Sequence, residues 1–240
     1  MENKEKVKEV RDCILTHNKV KNDEELKDYV NQLFKEKLNL PVTKSLDDLS
    51  WDEIAEISKN GDAEKYFKIG DTKKFQLYTG EPCEAVIIGF NNDTLDGVNK
   101  MAGITFALKD LLDGEFEMNE TNTNIGGWRK SKMRNVYMPR FYKLLPKDLQ
   151  GVIKSVLKET DDDVTVDKLF LPSFNEVFGI GYPYFTNETN RIKNRCNKPS
   201  VWWLRSPRNS SKEYNVVLSD GCNYDNFTSL TYGVSFCFAI

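Results

Sequence analysis

Val201-Trp202-Trp203-Leu204-Arg205-Ser206-Pro207 reads as a β-strand, rich in β-branched and aromatic residues and stopped by a proline. Adjacent side chains of a strand point to opposite faces, so one indole packs inward and the other, assigned to Trp203, faces out. Downstream, Tyr214 to Leu218 gives a second strand, Gly221 a turn, and the apolar run Gly233-Val234-Ser235-Phe236-Cys237-Phe238-Ala239-Ile240 a closing strand. The chain therefore ends in an antiparallel sheet.

Upstream, Ser50-Trp51-Asp52-Glu53 has the Ser-x-x-Glu spacing of a capping box, with Ile54 and Ile57 at helical spacing and Gly61 as a stop. Lys74 to Tyr78 alternates and Glu84 to Phe90 is a compact β-branched run, so the two form a hairpin turned at Gly80-Glu81-Pro82. Ile104 to Leu112 returns to helical spacing, Trp128 to Val136 adds a short helix, and Val152 to Leu157 and Lys168 to Leu171 read as strands. Helices first and an antiparallel sheet last give an α+β domain over residues 49–240 and not a doubly wound sheet.

Before it, residues 1–48 read as a two-helix arm. Val7, Val10 and Ile14 mark the first helix, and Leu26, Tyr29, Val30, Leu33, Phe34 and Leu38 form a wider stripe on the second. Such a stripe needs a covering surface, which makes a homo-oligomer through residues 1–48 the expectation.

Composition narrows the function. The 240 residues carry 34 basic and 37 acidic side chains, a net charge of −3, so nothing global draws the chain to nucleic acid or an anionic membrane. The basic clusters Arg129, Lys130, Lys132, Arg134 and Arg191, Lys193, Arg195, Lys198 have acidic neighbours and read as solvated faces. No apolar run approaches the roughly 20 residues of a membrane span, and the charged start is no secretory leader, so cytoplasmic synthesis without export is expected, with a virion as one setting. Five cysteines at 13, 83, 196, 222 and 237 form no CxxC pair, and His17 is the single histidine; reduced thiols and no zinc or triad chemistry follow. Phosphate-cradling loops are missing. Asn91 to Gly97 and Asp161-Asp162-Asp163 offer oxygen ligands of the kind calcium takes, but neither has EF-hand spacing and both read as solvated turns; no cofactor is expected.

Between Asn209 and Tyr232 the composition turns to Asn, Ser, Tyr, Asp and Thr, the mixture that binding loops use: rigid aromatic contact area beside adaptable hydrogen bonds. The candidate ligand-binding residues are Trp203, Tyr214, Asn223, Tyr224, Asp225, Asn226, Phe227 and Tyr232. Catalytic and metal-binding residues are not expected. Arg134 and Arg205, flanked by apolar residues, each need a carboxylate or several carbonyls to be buried.

Trp202 to Pro207, the Ser219-Asp220-Gly221 turn and the terminal run together resemble domain-of-unknown-function family 6273 of Firmicutes and their phages. Ser50 to Ile54, Tyr66 to Asp71, Ile88 to Asn91, Gly103 to Phe106 and Asn124 to Trp128 with Met133-Arg134 extend the resemblance over about residues 48–240. It implies a C-type-lectin-like fold, similar to formylglycine-generating enzymes and to variable phage or surface proteins. Asn92 stands where relatives often carry histidine, and the ending lacks their Arg-Pro. The expected function is a non-enzymatic ligand-binding or adhesion module, phage or prophage associated, for a protein or glycan. The alternatives are an oxidase of the formylglycine-generating type using Cys222 and Cys237, and a structural assembly subunit.

Overall fold

The computed structural model describes residues 45–160 and 163–240. Both helices expected in the arm lie outside the described residues. Leu46–Asp48 forms a 3-10 turn, and Leu46 and Leu49 are buried, so the core of the unit Leu46–Ile240 reaches back across the expected boundary.

Helix α1 (Trp51–Lys59) begins at the expected capping box: Ser50 accepts from the Glu53 N–H, and the Glu53 carboxylate accepts from the Ser50 N–H. A four-residue turn, α2 (Ala63–Tyr66), leads to the hairpin β1 (Thr72–Gln76) and β2 (Pro82–Phe90). β3 (Ile104–Leu108) follows, where helical spacing predicts a helix. Every residue of β3 is buried because both its faces are covered, and a strand buried on both sides reads as an unbroken apolar run in which the period of two is invisible.

Next come the two-residue strand β4 (Phe116–Glu117), α3 (Gly127–Lys130), a π turn at Met133–Tyr137, α4 (Met138–Leu144) and α5 (Lys147–Val152). The strand expected from Val152 starts at Val156: Val152 closes α5, and β5 (Val156–Thr160) pairs with β6 (Asp163–Asp167). Lys168 to Leu171 is no strand; Phe170 makes one isolated bridge, to Cys237. After α6 (Phe174–Phe178) and two 3-10 turns, the chain forms the hairpin β7 (Lys193–Arg195) and β8 (Lys198–Ser200). Then follow β9 (Trp202–Pro207), β10 (Glu213–Val217), β11 (Asn223–Phe227), β12 (Thr231–Tyr232) and β13 (Cys237–Ala239).

The strand pairs are antiparallel. The largest sheet runs β1-β2-β3-β13, and a second runs β11-β10-β9, turned between β10 and β11 at Gly221, whose φ of 86° suits glycine. The fold is thus mixed α and β with several small antiparallel sheets. In the first sheet Phe106 of β3 stacks on Phe238 of β13 with centroids 5.2 Å apart, and Trp51 meets both rings edge-on at 5.7 and 6.0 Å. One face of β3 thereby builds the apolar core, and the other turns Thr105 toward the polar cluster described below.

Phe106→Ala is expected to cost about 3–5 kcal/mol, the usual range for emptying an aromatic core site. Urea unfolding checks this. A helix at 104–112, with its face half exposed, would give a much smaller loss.

Candidate functional site

In β9, Trp203 lies opposite Val216 and Pro207 opposite Tyr214, so Leu204, Arg205 and Ser206 face the single residue Asn215 of β10. This bulge re-aims Arg205 inward, where it is 2% exposed. A buried guanidinium must place five N–H groups, and here all five have acceptors. Nε donates to Thr160 Oγ1 at 2.8 Å; the terminal nitrogens donate to Leu171 O at 2.8 Å, to Glu159 O at 2.9 Å, and as a fork to both Glu176 oxygens.

Glu176 is held by the start of α6. It is the third helical residue of a second capping box, accepting from the Ser173 N–H at 2.7 Å through the same Oε2 that meets Arg205. Its other oxygen accepts from Lys158 Nζ at 2.6 Å. Lys158 points inward because β5 alternates, burying Val156, Lys158 and Thr160. Its ammonium also donates to Asp93 at 2.5 Å and to the Tyr182 hydroxyl at 3.1 Å, and lies 4.3 Å from the Phe170 ring centroid. Asp93, in the loop after β2, accepts as well from Thr105 Oγ1 at 2.5 Å and from Tyr182 OH at 3.0 Å. Two cations and two anions thus neutralise one another in the interior. Burial alone would raise the Glu176 pKa, but Arg205 and Lys158 hold the carboxyl well below the usual glutamate range; burial pushes the Tyr182 hydroxyl upward.

Above this cluster opens a cleft of about 600 Å³ lined by Asn92, Ser173, Asn175, Ser206, Arg208 and Asn215 among others. A second recess of about 350 Å³, lined by Gly126, Gly127, Arg129 and Thr165, shares Thr160, Pro207 and Arg208 with it. Asn215 is 3% exposed; its Nδ2 donates to Ser206 O at 3.0 Å, while its Oδ1 is buried without a partner.

The sequence-predicted residues fall into separate places. Trp203 is buried and not outward: its Nε1 donates to Phe116 O at 2.7 Å, and its ring meets Tyr232 edge-on at 5.0 Å. Alternation holds at Trp202 and Trp203, but both faces are covered there, Trp202 by Phe185 and Arg191 and Trp203 by Phe116 and Tyr232, so neither indole faces out. Tyr214 is also a core residue. Asn226 and Tyr232, both half-buried, bond to each other through Nδ2 and OH at 2.6 Å. Tyr224 and Phe227 stand exposed at 56% and 44%. Register puts Asn223, Asp225 and Phe227 on the same face of the hairpin as Asn215, and Asp225 lies 3.7 Å from Arg208. That face adjoins the cleft.

Lys158, Glu176, Tyr182 and Asn215 are not among the residues the sequence reading picks out. A signal for Glu176 existed: Ser173-Phe174-Asn175-Glu176 repeats the Ser-x-x-Glu spacing already found at Ser50. Asp93 is a correction to the oxygen-rich turn at 91–97, because its carboxylate turns inward and is taken by Lys158, Thr105 and Tyr182. Asp161 and Asp162 lie outside the described residues. Among the described residues no group of three or more His, Cys, Asp or Glu could hold a metal.

The basic clusters are largely paired. Arg129 forks onto Asp163 with two 2.6 Å bonds, Lys132 holds Glu117 and Glu120, and Arg134 donates to Asp167 at 2.7 Å, so Arg134 and Arg205 both have the carboxylates expected of them. Lys193 departs from the expected solvated face: it is fully buried and donates to Leu108 O and Lys109 O, with its ammonium 5.5 Å from the Trp202 ring centroid. Burial lowers its pKa to about 8. Cys222 and Cys237 are free thiols, the first exposed and the second buried. Asp220 pushes the Cys222 pKa up and burial pushes Cys237 up, the opposite of thiolate activation.

The profile of a domain-of-unknown-function family, DUF6273, matches residues 102–240, more than half of the chain, and the chain belongs to that family. The match takes in Lys158, Glu176, Tyr182, Arg205 and the β10–β11 hairpin, and begins after Asp93, well inside the span the sequence resemblance covers. No curated protein and no solved structure matches the chain.

Two outcomes follow from the buried charges. Replacing Arg205 by Met strands Glu176, and a loss of about 3–5 kcal/mol is expected in denaturant unfolding. Because the folded Glu176 pKa lies below its ordinary 4.5, its contribution is present above that pH and is lost progressively as pH falls; stability measured from pH 6 down to about 2 should decline less steeply in Glu176→Gln. Lys193 has the opposite sign. Between pH 8 and 10.5 the unfolded chain holds the proton and the folded chain releases it, so the native protein gains stability relative to Lys193→Met over that window, read from melts at both ends.

Proposed function

We propose that this domain is a non-enzymatic ligand-binding module, with the cleft beside the β10–β11 hairpin as its binding surface. The observation that carries the reading is the complete internal pairing of Asp93, Lys158, Glu176 and Arg205 beneath the cleft. A general base needs an accessible lone pair and a nucleophile needs an activating neighbour. Here the Asp93 carboxylate already accepts from three donors and that of Glu176 from four, and the remaining lining groups are mostly amides and hydroxyls, which recognise and do not react.

The C-type-lectin-like fold is part of the same proposal. It is supported by the return of β13 to the sheet beside β3, which leaves residues 109–236 as a long excursion carrying most of the cleft. Adhesion to a protein or glycan on a cell or phage surface is the setting this reading gives, and self-association through residues 1–48 would multiply weak contacts.

Tyr224→Ala and Phe227→Ala test the reading. Both side chains are exposed on β11, but register puts Phe227 on the cleft side and Tyr224 on the other, so Phe227→Ala should weaken binding in a glycan and bacterial-surface screen with the full chain while Tyr224→Ala leaves it in place, and neither should move the melting temperature by more than a few degrees. Parallel loss of stability and binding would make them packing residues.

A further inference from the structure

The two recesses meet at Thr160, Pro207 and Arg208, and volumes of about 600 and 350 Å³ each lie within or near the range of ligand sites. We infer that they are consecutive subsites of one groove, and that the groove takes an uncharged, N-acetylated oligosaccharide. This rests on the binding-module reading above and names its ligand.

Charge comes first. Along the groove Asp93 faces Lys158, Glu176 faces Arg205, Arg129 faces Asp163, and Arg208 lies 3.7 Å from Asp225; exposed Glu159 adds one negative charge at the rim. A charged ligand would have to compete with these internal pairs, whereas a neutral one leaves them in place.

Hydrogen bonding comes second. A buried oxygen without a donor costs roughly 1–3 kcal/mol, so Asn215 Oδ1 favours any ligand that brings an N–H or O–H to it. Its orientation is fixed by the bond from Nδ2 to Ser206 O, since the reversed amide would set two oxygens against each other. In the same recess Arg208, its side chain 46% exposed, offers donors to a carbonyl or hydroxyl. An acetamido group supplies the N–H and the C=O in one planar unit. Phe174, 38% exposed and stacked on Phe178 at 5.3 Å, gives the apolar surface against which a sugar face or acetyl methyl packs.

Shape comes third. A bound peptide would present the same amide, but peptide recognition takes its specificity from pockets for side chains. The second recess is lined by Gly126, Gly127, Thr160, Thr165 and the paired Arg129 and Asp163, a mixed polar and apolar lining that suits both the hydroxyls and the apolar face of a sugar ring.

Calorimetric titration of the full chain with N-acetylglucosamine oligomers, from monomer to hexamer, tests the inference, with glucose oligomers as the comparison. Affinity should rise at least tenfold from dimer to tetramer, and glucose oligomers should bind at least tenfold more weakly. Asn215→Leu should lower affinity about tenfold. Arg208→Ala, which leaves the backbone bonds of Arg208 to Glu213 and Asn124 intact, should flatten the rise with length. Equal binding of the glucose series, or a flat ladder in the native chain, overturns the inference. Should N-acetylglucosamine oligomers fail to bind while Arg208→Ala still abolishes attachment to bacterial surfaces, the ligand class is wrong and the module reading stands; with no attachment to any surface or glycan, both fall.

Discussion

The fork between Arg205 and Glu176 holds the polar half of this domain in place. Arg205 comes from a bulged strand, Glu176 from the capping box of α6, and the remaining guanidinium donors reach Thr160, Glu159 and Leu171. Through Glu176 the fork reaches Lys158, and through Lys158 it reaches Asp93 and Tyr182. Segments far apart in sequence are thus tied by bonds whose geometry admits little variation. Buried pairs of this kind add little net stability over apolar packing, yet the loss of one member leaves a charge stranded in low dielectric. Their consequence is therefore positional: α6, β5 and β9 must meet in one arrangement or leave a charge unpaired.

That constraint shapes the cleft. Beneath it two cations are paired with two anions, and its rim carries amides, hydroxyls and Arg208. The cleft-side face of β11 extends the rim, while the opposite face of β9 and β10 buries Trp203 and Tyr214, with half-buried Tyr232 edge-on to Trp203.

Two buried lysines illustrate how much environment decides. Lys158 has two carboxylates and a hydroxyl, one for each of its N–H bonds. Lys193 has two carbonyl oxygens and the rings of Phe185 and Trp202, with no carboxylate paired to it among the described residues. The first ammonium is compensated in full; dipoles and ring quadrupoles compensate the second only in part, and burial accordingly lowers its pKa.

Much of the fold was legible in the sequence because its signals are local. The Ser50 capping box, the hairpin turned near Gly80, the strand beginning at Trp202 and the Gly221 turn each depend on residues within a few positions of one another. The need of Arg134 and Arg205 for carboxylates was legible too, from the cost of burying a charge. Tertiary structure alone decided the rest. β3 reads as a helix until both its faces are seen to be covered, and Trp203 reads as outward until Phe116 and Tyr232 are seen to cover its face of β9. The polar cluster was invisible for the same reason: Asp93, Lys158, Glu176 and Arg205 are tens of residues apart, each by itself an ordinary surface residue type. A sequence states which charges must be satisfied; which of them meet depends on the path of the folded chain.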